Sequence, residues 1–292
     1  MSRQTCPTEV GTNVIAEIPV FLGERGSKVF ACIHRPAGTA RGLAVLCSSI
    51  GAEWKHNYRR EVLLARRLAV NGMAAVRFHY LGTGNSDNGT TDFGQMVCDA
   101  QVVEQWAADA VGVPATTYFG ARFGGFVAAA AGQSKPLVIW SPRPTGADYF
   151  REVFRIAQVN LLAAAGHEDL NVQGPLSELL AGRTAEVVGY NLSTELYRSA
   201  AQLTLLGELG AAPRSLRLVE FVGGANSEQA VVGYANLLED HGFEASTVCF
   251  QGDGSWWLNK GRWTAEEERD LVQRSITDTA DWLLAFLPGG SQ

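Results

Sequence analysis

Along this chain of 292 residues the apolar positions recur first at strand spacing and then at helix spacing, several times over. Residues 14–22 and 28–34 are apolar-rich runs on either side of Gly23-Glu24-Arg25-Gly26-Ser27, a turn composition, and together they predict an antiparallel hairpin. Residues 42–47 are nearly all apolar, as expected of a strand buried on both faces. The polar residues 48–58 predict a loop. Residues 59–70 then bring Val62, Leu63, Leu64, Leu68 and Ala69 onto or near one face of a helix, which Asn71-Gly72 closes. A strand over 74–80, a Gly-rich loop over 81–87, an amphipathic helix over 93–111 and a strand over 115–119 follow. This alternation implies a parallel sheet with helices on both faces.

Residues 136–140 form the next predicted strand, and the clear one after it is 216–222. The segment between them is too long for an ordinary connection. It holds helical patterns at 148–165 and 193–206, separated by a polar, Gly/Pro-containing stretch around 167–175. The pattern predicts a helical lid over the carboxyl edge of the sheet, where open α/β sheets bind ligands. Residues 1–142 and 215–292 are expected to form the core, and 143–214 the lid. A helix over 231–241, a strand over 247–250 and a closing helix over 264–286 complete the chain, with 288–292 expected to fray.

The central stretch is Tyr118-Phe119-Gly120-Ala121-Arg122-Phe123-Gly124-Gly125, running straight into the alanine-rich 126–131. A strand, a tight glycine-flanked turn and a helix in that order make a nucleophile elbow, with Gly120 and Gly124 relieving the crowding around a strained central residue. The stretch resembles the α/β-hydrolase fold, which implies a mostly parallel eight-stranded sheet with helices on both faces. The resemblance puts a serine, cysteine or aspartate nucleophile at the centre. Here that residue is Arg122, whose guanidinium stays protonated and offers no lone pair.

The other members of a hydrolytic triad also have no clear counterpart. The acid belongs after the strand 216–222, where Gly223-Gly224-Ala225-Asn226-Ser227-Glu228 puts Asn226 near its place. The histidine belongs after 247–250, where the chain reads Gln251-Gly252-Asp253-Gly254-Ser255-Trp256-Trp257; no histidine occurs beyond His241. Ordinary serine esterase, lipase or peptidase chemistry is therefore not expected.

A polar site remains. Arg122 at a helix N-terminus suits a carboxylate, phosphate or oxyanion, and the alternative is a buried ion pair with Glu53 that plugs the site. Glu53, His56 and Asp253 are candidate proton carriers, against the plainer readings of His56 as a surface residue and Asp253 as part of a turn. Ser48, Ser49, Asn57, Phe123, Arg143, Asn226 and Trp256 are candidate ligand contacts. For the serines and Asn57 the plain reading is loop capping; Trp256 and Trp257 would form an aromatic wall or pack in the core. His79 stands where the resembled Gly-rich loop has aspartate, and Ser86 and Asp87 are expected to brace that loop. Gly82-Thr83-Gly84 is not a dinucleotide fingerprint.

Composition narrows the partners. With 46% hydrophobic and 18% charged residues the chain is an ordinary globular sequence, and a net charge of −6 without a long basic cluster argues against nucleic acid or a polybasic membrane anchor. The polar start lacks a signal core and no run reaches spanning length, so a cytoplasmic protein without a membrane span is expected. Cys6, Cys32, Cys47, Cys98 and Cys249 are odd in number and scattered, which reads as reduced core packing with no metal site or cofactor.

The elbow arginine, the Glu53 to Arg60 spacing Glu-x-x-x-x-x-Arg-Arg, and Leu137-Val138-Ile139-Trp140-Ser141-Pro142 followed by Gly146 and Tyr149-Phe150-Arg151-Glu152 are similar to the second type of exosortase A system-associated hydrolase, named as serine aminopeptidase-like. Val187-Val188-Gly189-Tyr190-Asn191-Leu192-Ser193 fits the same pattern. Two readings follow. In one, the chain binds a small anionic acyl or carboxylate molecule at the elbow, with Arg122 stabilising an oxyanion in atypical acyl-group chemistry. In the other it is an inactive pseudoenzyme, a binding or scaffold protein in biosynthesis. A homodimer is left open.

Overall fold

A computed structural model describes residues 6–10, 13–165, 174–223, 225–252 and 265–288. The expected hairpin is β2 (Asn13–Leu22) and β3 (Val29–Arg35), paired antiparallel with Phe21 opposite Phe30. At its outer edge β1 (Cys6–Val10) adds antiparallel to β2, a strand that the polar opening residues did not announce. β4 (Gly42–Cys47) and β5 (Met73–Phe78) are buried at every position, which is why they read as unbroken apolar runs.

Between them α1 (Gly51–Val70) begins at Gly51, inside the stretch expected to be a loop. Its first half turns Glu53, Asn57, Arg60 and Glu61 inward. Polar residues on the core side hide the helical apolar period, which becomes legible only at Leu64 and Leu68. α2 (Phe93–Val111) follows, then β6 (Ala115–Ala121), α3 (Gly124–Gly132) and β7 (Leu137–Trp140).

The long insertion contains α4 (Gly146–Ala165), α5 (Gly174–Leu180), the strands β8 (Ala185–Val187) and β9 (Tyr190–Leu192), α6 (Thr194–Ala201) and α7 (Leu205–Leu209). The single helix expected over 193–206 is two, each with its own N-cap: Ser193 Oγ accepts from Leu196 N, and Thr204 Oγ1 from Gly207 N. The β8–β9 hairpin is new, since three-residue strands leave no readable alternation. β10 (Ser215–Val222), α8 (Ala225–Asp240), β11 (Glu244–Gln251) and α9 (Ala265–Leu284) return the chain to the core.

Among the described residues the main sheet has nine strands in the order β1-β2-β3-β5-β4-β6-β7-β10-β11, one more than the eight expected, because of β1. From β5 to β11 every neighbour is parallel. One apolar layer packs Met96 and Val103 of α2, Phe126 of α3 and Leu238 of α8 on one face; the other packs Leu64 and Leu68 of α1 and Leu271, Ile276 and Leu283 of α9 on the opposite face. No helix among the described residues is long and apolar enough to cross a membrane. Cys32 and Cys47 are buried as expected, whereas Cys98 is exposed on α2.

Candidate functional site

β6 delivers the chain into the elbow with Arg122 at φ 54, a left-handed conformation that non-glycine residues seldom adopt. The turn is tight on both sides. A Cβ at Gly120 would lie 2.4 Å from Gly124 O, and one at Gly124 would lie 2.1 Å from Cys47 O. Arg122 N donates to Trp140 O at 2.8 Å, which fixes the turn against β7.

The Arg122 side chain is fully buried and committed to two carboxylates. Its Nε and Nη2 donate to Glu53 Oε1 at 3.2 and 2.9 Å, and Nη1 donates to Glu152 Oε2 at 3.0 Å. The guanidinium carbon sits 5.4 Å from the Tyr149 ring centroid. The second Glu53 oxygen accepts Ser49 Oγ at 2.6 Å and Tyr149 Oη at 3.1 Å. Burial opposes the Arg122 charge, but Glu53 and Glu152 outweigh it and hold the pKa above the ordinary arginine value.

The network continues outward. Arg143 Nε donates to Glu152 Oε2 at 2.7 Å and Nη1 to Glu220 Oε2 at 3.3 Å, while Ser141 Oγ donates to Glu220 Oε1 at 2.6 Å. Burial would raise the Glu152 pKa, but Arg122 and Arg143 bring it down to about 2. Carboxylates and guanidiniums thus alternate from Glu53 through Arg122, Glu152 and Arg143 to Glu220, across the carboxyl ends of β6, β7 and β10.

A cavity of about 580 Å³ lies over one end of this chain. It is lined by Ser49 to Trp54 at the start of α1 and by the Gly82-Thr83-Gly84 loop. Tyr149, Phe150, Val153 and Ile156 of α4 and residues 187–193 around the β8–β9 hairpin line it as well. Among the described residues Glu53 is the one carboxylate that lines it, and no Lys, Arg or His does. Arg122, expected to offer its fork to a ligand, therefore lies behind Glu53 and Tyr149 rather than on the wall.

The remaining candidates separate. Ser49 and Glu53 line the cavity, whereas Ser48 is buried beneath and donates to Glu61 Oε2 at 2.5 Å. Asn57 is buried on α1 away from the cavity wall. His56, expected in a loop facing the elbow, lies on α1 off the wall; burial, then Lys55 and Arg60, lower its pKa. Phe123 belongs to an aromatic core cluster with Phe126, Tyr149 and Phe150. Arg143 lines a separate cavity of about 440 Å³, again not the one over Glu53. Asn226 falls in the first turn of α8 rather than in a loop, because that helix starts at Ala225. Asp253, Trp256 and Trp257 lie outside the described residues.

Four participants were missed in the sequence: Ser141, Tyr149, Glu152 and Glu220. Tyr149 and Glu152 stand three residues apart on α4, a spacing that puts both on one helix face, and that was the available signal. Nearby, His79 is buried and accepts from Asn85 N through Nδ1 at 2.9 Å; burial, then Arg77, pull its pKa down to about 4, so the ring is neutral. Ser86 and Asp87 brace the loop by accepting from Phe30 N and from Gly26 and Lys28 N. No group of three metal-ligating side chains occurs among the described residues.

No protein-family model matches the chain, and no curated protein does. Solved structures do. Est1E from Butyrivibrio proteoclasticus is 14% identical over 92% of this chain and 98% of its own, with a TM-score of 0.59. Its ferulic acid-bound form is 16% identical over 91% and 99%, with a TM-score of 0.61. A thermostable carboxyl esterase from Bacillus coagulans, in complex with glycerol, is 12% identical over 93% and 99%, at 0.59. The strand order, the elbow between β6 and α3, and these likenesses together give the chain the α/β-hydrolase fold.

Proposed function

We propose that this chain is a ligand-binding member of the α/β-hydrolase fold, without an elbow nucleophile, that holds an acyl-type molecule in the cavity between α1 and a lid formed by residues 143–214. The observation that carries the reading is the Arg122 side chain, buried and paired with Glu53 and Glu152. A guanidinium tied to two carboxylates neither attacks a carbonyl nor leaves its partners for an incoming anion without stranding buried charge. Among the described residues Glu53 is the only charged side chain lining the cavity, and its oxygens already accept from Arg122, Ser49 and Tyr149. Among the described residues an anionic head group would meet a carboxylate and no cation there.

The ligand is therefore an uncharged acyl compound such as an ester, amide or lactone. Ile50, Met96, Phe150, Val153, Leu192 and Leu196 contact its apolar body, and Thr83, Thr91 and Ser193 offer neutral hydrogen bonds. The likeness of the elbow and of the 137–152 stretch to exosortase A system-associated hydrolases supports a place in a biosynthetic pathway. The test is calorimetric titration of the wild-type protein with methyl esters of four to twelve carbons, alongside fluorophosphonate labelling. Saturable ester binding with no labelled serine is expected. Turnover of the esters, abolished by replacing one labelled serine, would overturn the proposal.

A further inference from the structure

Four non-glycine residues among those described have positive φ, and three of them, Arg122, Ser141 and Val188, surround the network and cavity. Val188 is the least expected. Its φ is 52 and that of Gly189 is 78, so both central residues of the two-residue turn joining β8 to β9 are left-handed, as a type I′ turn demands. Asn-Gly is the favoured pair for such a turn, and a β-branched residue is among the worst, because its Cβ substituents crowd the backbone at positive φ. Strain of this kind persists only where the surroundings over-determine it, and it gathers at ligand clamps.

The surroundings identify the role. Val188 lines the 580 Å³ cavity together with Val187, Tyr190 and Leu192 of the same hairpin. The hairpin is held close to the opposite wall, since a Cβ at Gly51, the first residue of α1, would lie 3.9 Å from Tyr190 Cβ. It is anchored at its base as well: Thr194 Oγ1 donates to Arg183 O at 2.9 Å. A strained apolar residue is thus fixed at the tip of a short hairpin, against the cavity.

Resting on the binding function proposed above, we infer that Val188 is the specificity-determining residue of this site, a stop that sets the length of apolar chain the cavity accepts. Its place in the turn is kept at the expense of turn stability.

Two variants test this, Val188→Asn and Val188→Gly, each titrated with methyl esters of four to twelve carbons and each melted without ligand. Val188→Asn makes the turn Asn-Gly and is expected to raise Tm by a few degrees while weakening the best wild-type ester at least tenfold. Val188→Gly removes the stop, and its preferred ester is expected to be at least two carbons longer. Variants that keep the wild-type ranking and affinities would overturn the inference while leaving the binding function intact, and would assign Val188 to packing alone. Failure of the wild-type protein to bind any ester would overturn the binding function, and this inference with it.

Discussion

Arg122 Nη2 and Glu53 Oε1 meet at 2.9 Å with the arginine side chain fully buried and the glutamate 5% exposed. The position at which the fold elsewhere presents an attacking atom is thus occupied by half of a buried ion pair. Such a pair contributes little net stability against an apolar replacement, but losing one partner strands the other in low dielectric. Arg122→Ala and Glu53→Ala are each expected to cost about 3–5 kcal/mol. The joint variant Arg122→Ala/Glu53→Ala should cost clearly less than the two single changes added. Urea unfolding of the four proteins measures this, and additive losses would show that Arg122 and Glu53 do not stabilise one another.

Installing a nucleophile alone should not create a hydrolase. Arg122→Ser puts a hydroxyl at φ 54, yet the chain has no histidine after residue 241 to take its proton. For the folded fraction, verified by circular dichroism, p-nitrophenyl acetate hydrolysis is expected to stay at the buffer rate with no fluorophosphonate adduct. Labelling of the introduced serine would mean that another base reaches the elbow.

Two acids, Glu152 partly buried and Glu61 fully buried, should give stability opposite slopes with pH. Glu152 is held down to about 2 once Arg122 and Arg143 outweigh burial, so its contribution is complete above the unfolded value near 4.5 and is lost as pH falls toward 2. Glu61 goes the other way. Burial raises it to about 7 against the Ser48 hydrogen bond and the Arg77 charge, so the folded state keeps a proton that the unfolded chain releases. Stability from Glu61 is full below 4.5 and declines as pH rises to 7. Urea midpoints at pH 5 and pH 7.5 should therefore move closer together in Glu61→Gln than in the wild type. An unchanged difference would remove Glu61 as the cause.

Much of the fold could be read from the chain because its strands are buried on both faces, and the 42–47 and 137–140 runs advertise that without ambiguity. The elbow was legible for a steric reason, since the backbone approaches at Gly120 and Gly124 admit no side chain. What escaped was structure made by charge. The first half of α1 looks like a loop because its inward face carries the polar residues Glu53, Asn57, Arg60 and Glu61; of these Glu53 pairs with Arg122 of the elbow and Glu61 accepts from Ser48. Glu53 was one of two readings for the partner of Arg122, but Glu152 and Glu220 lie on α4 and β10, far along the sequence. No local period records a pairing made through space. The hairpin turn at Val188-Gly189 was hidden for a different reason: valine is the residue that turn chemistry would exclude there.

The closeness of the elbow to β4 gives the last prediction. A methyl group at Gly124 would meet Cys47 O at 2.1 Å and Ser48 O at 2.6 Å, and both are backbone atoms at the end of a fully buried strand. Neither can swing aside as a flexible side chain would. Gly124→Ala is therefore expected to destabilise by at least about 2 kcal/mol. In whatever fraction folds, the displaced end of β4 should carry Ser49 and the start of α1 with it and weaken ester binding. Gly94→Ala is the matched control: Gly94 is exposed on α2, where a Cβ would come no closer than 3.4 Å to the Asp92 side chain, and alanine there should stabilise by up to about 1 kcal/mol. Thermal melts and ester titrations of the two variants distinguish a steric effect at the elbow from a general cost of adding a methyl group. Equal small effects at both positions would mean that the elbow does not press against β4 in solution.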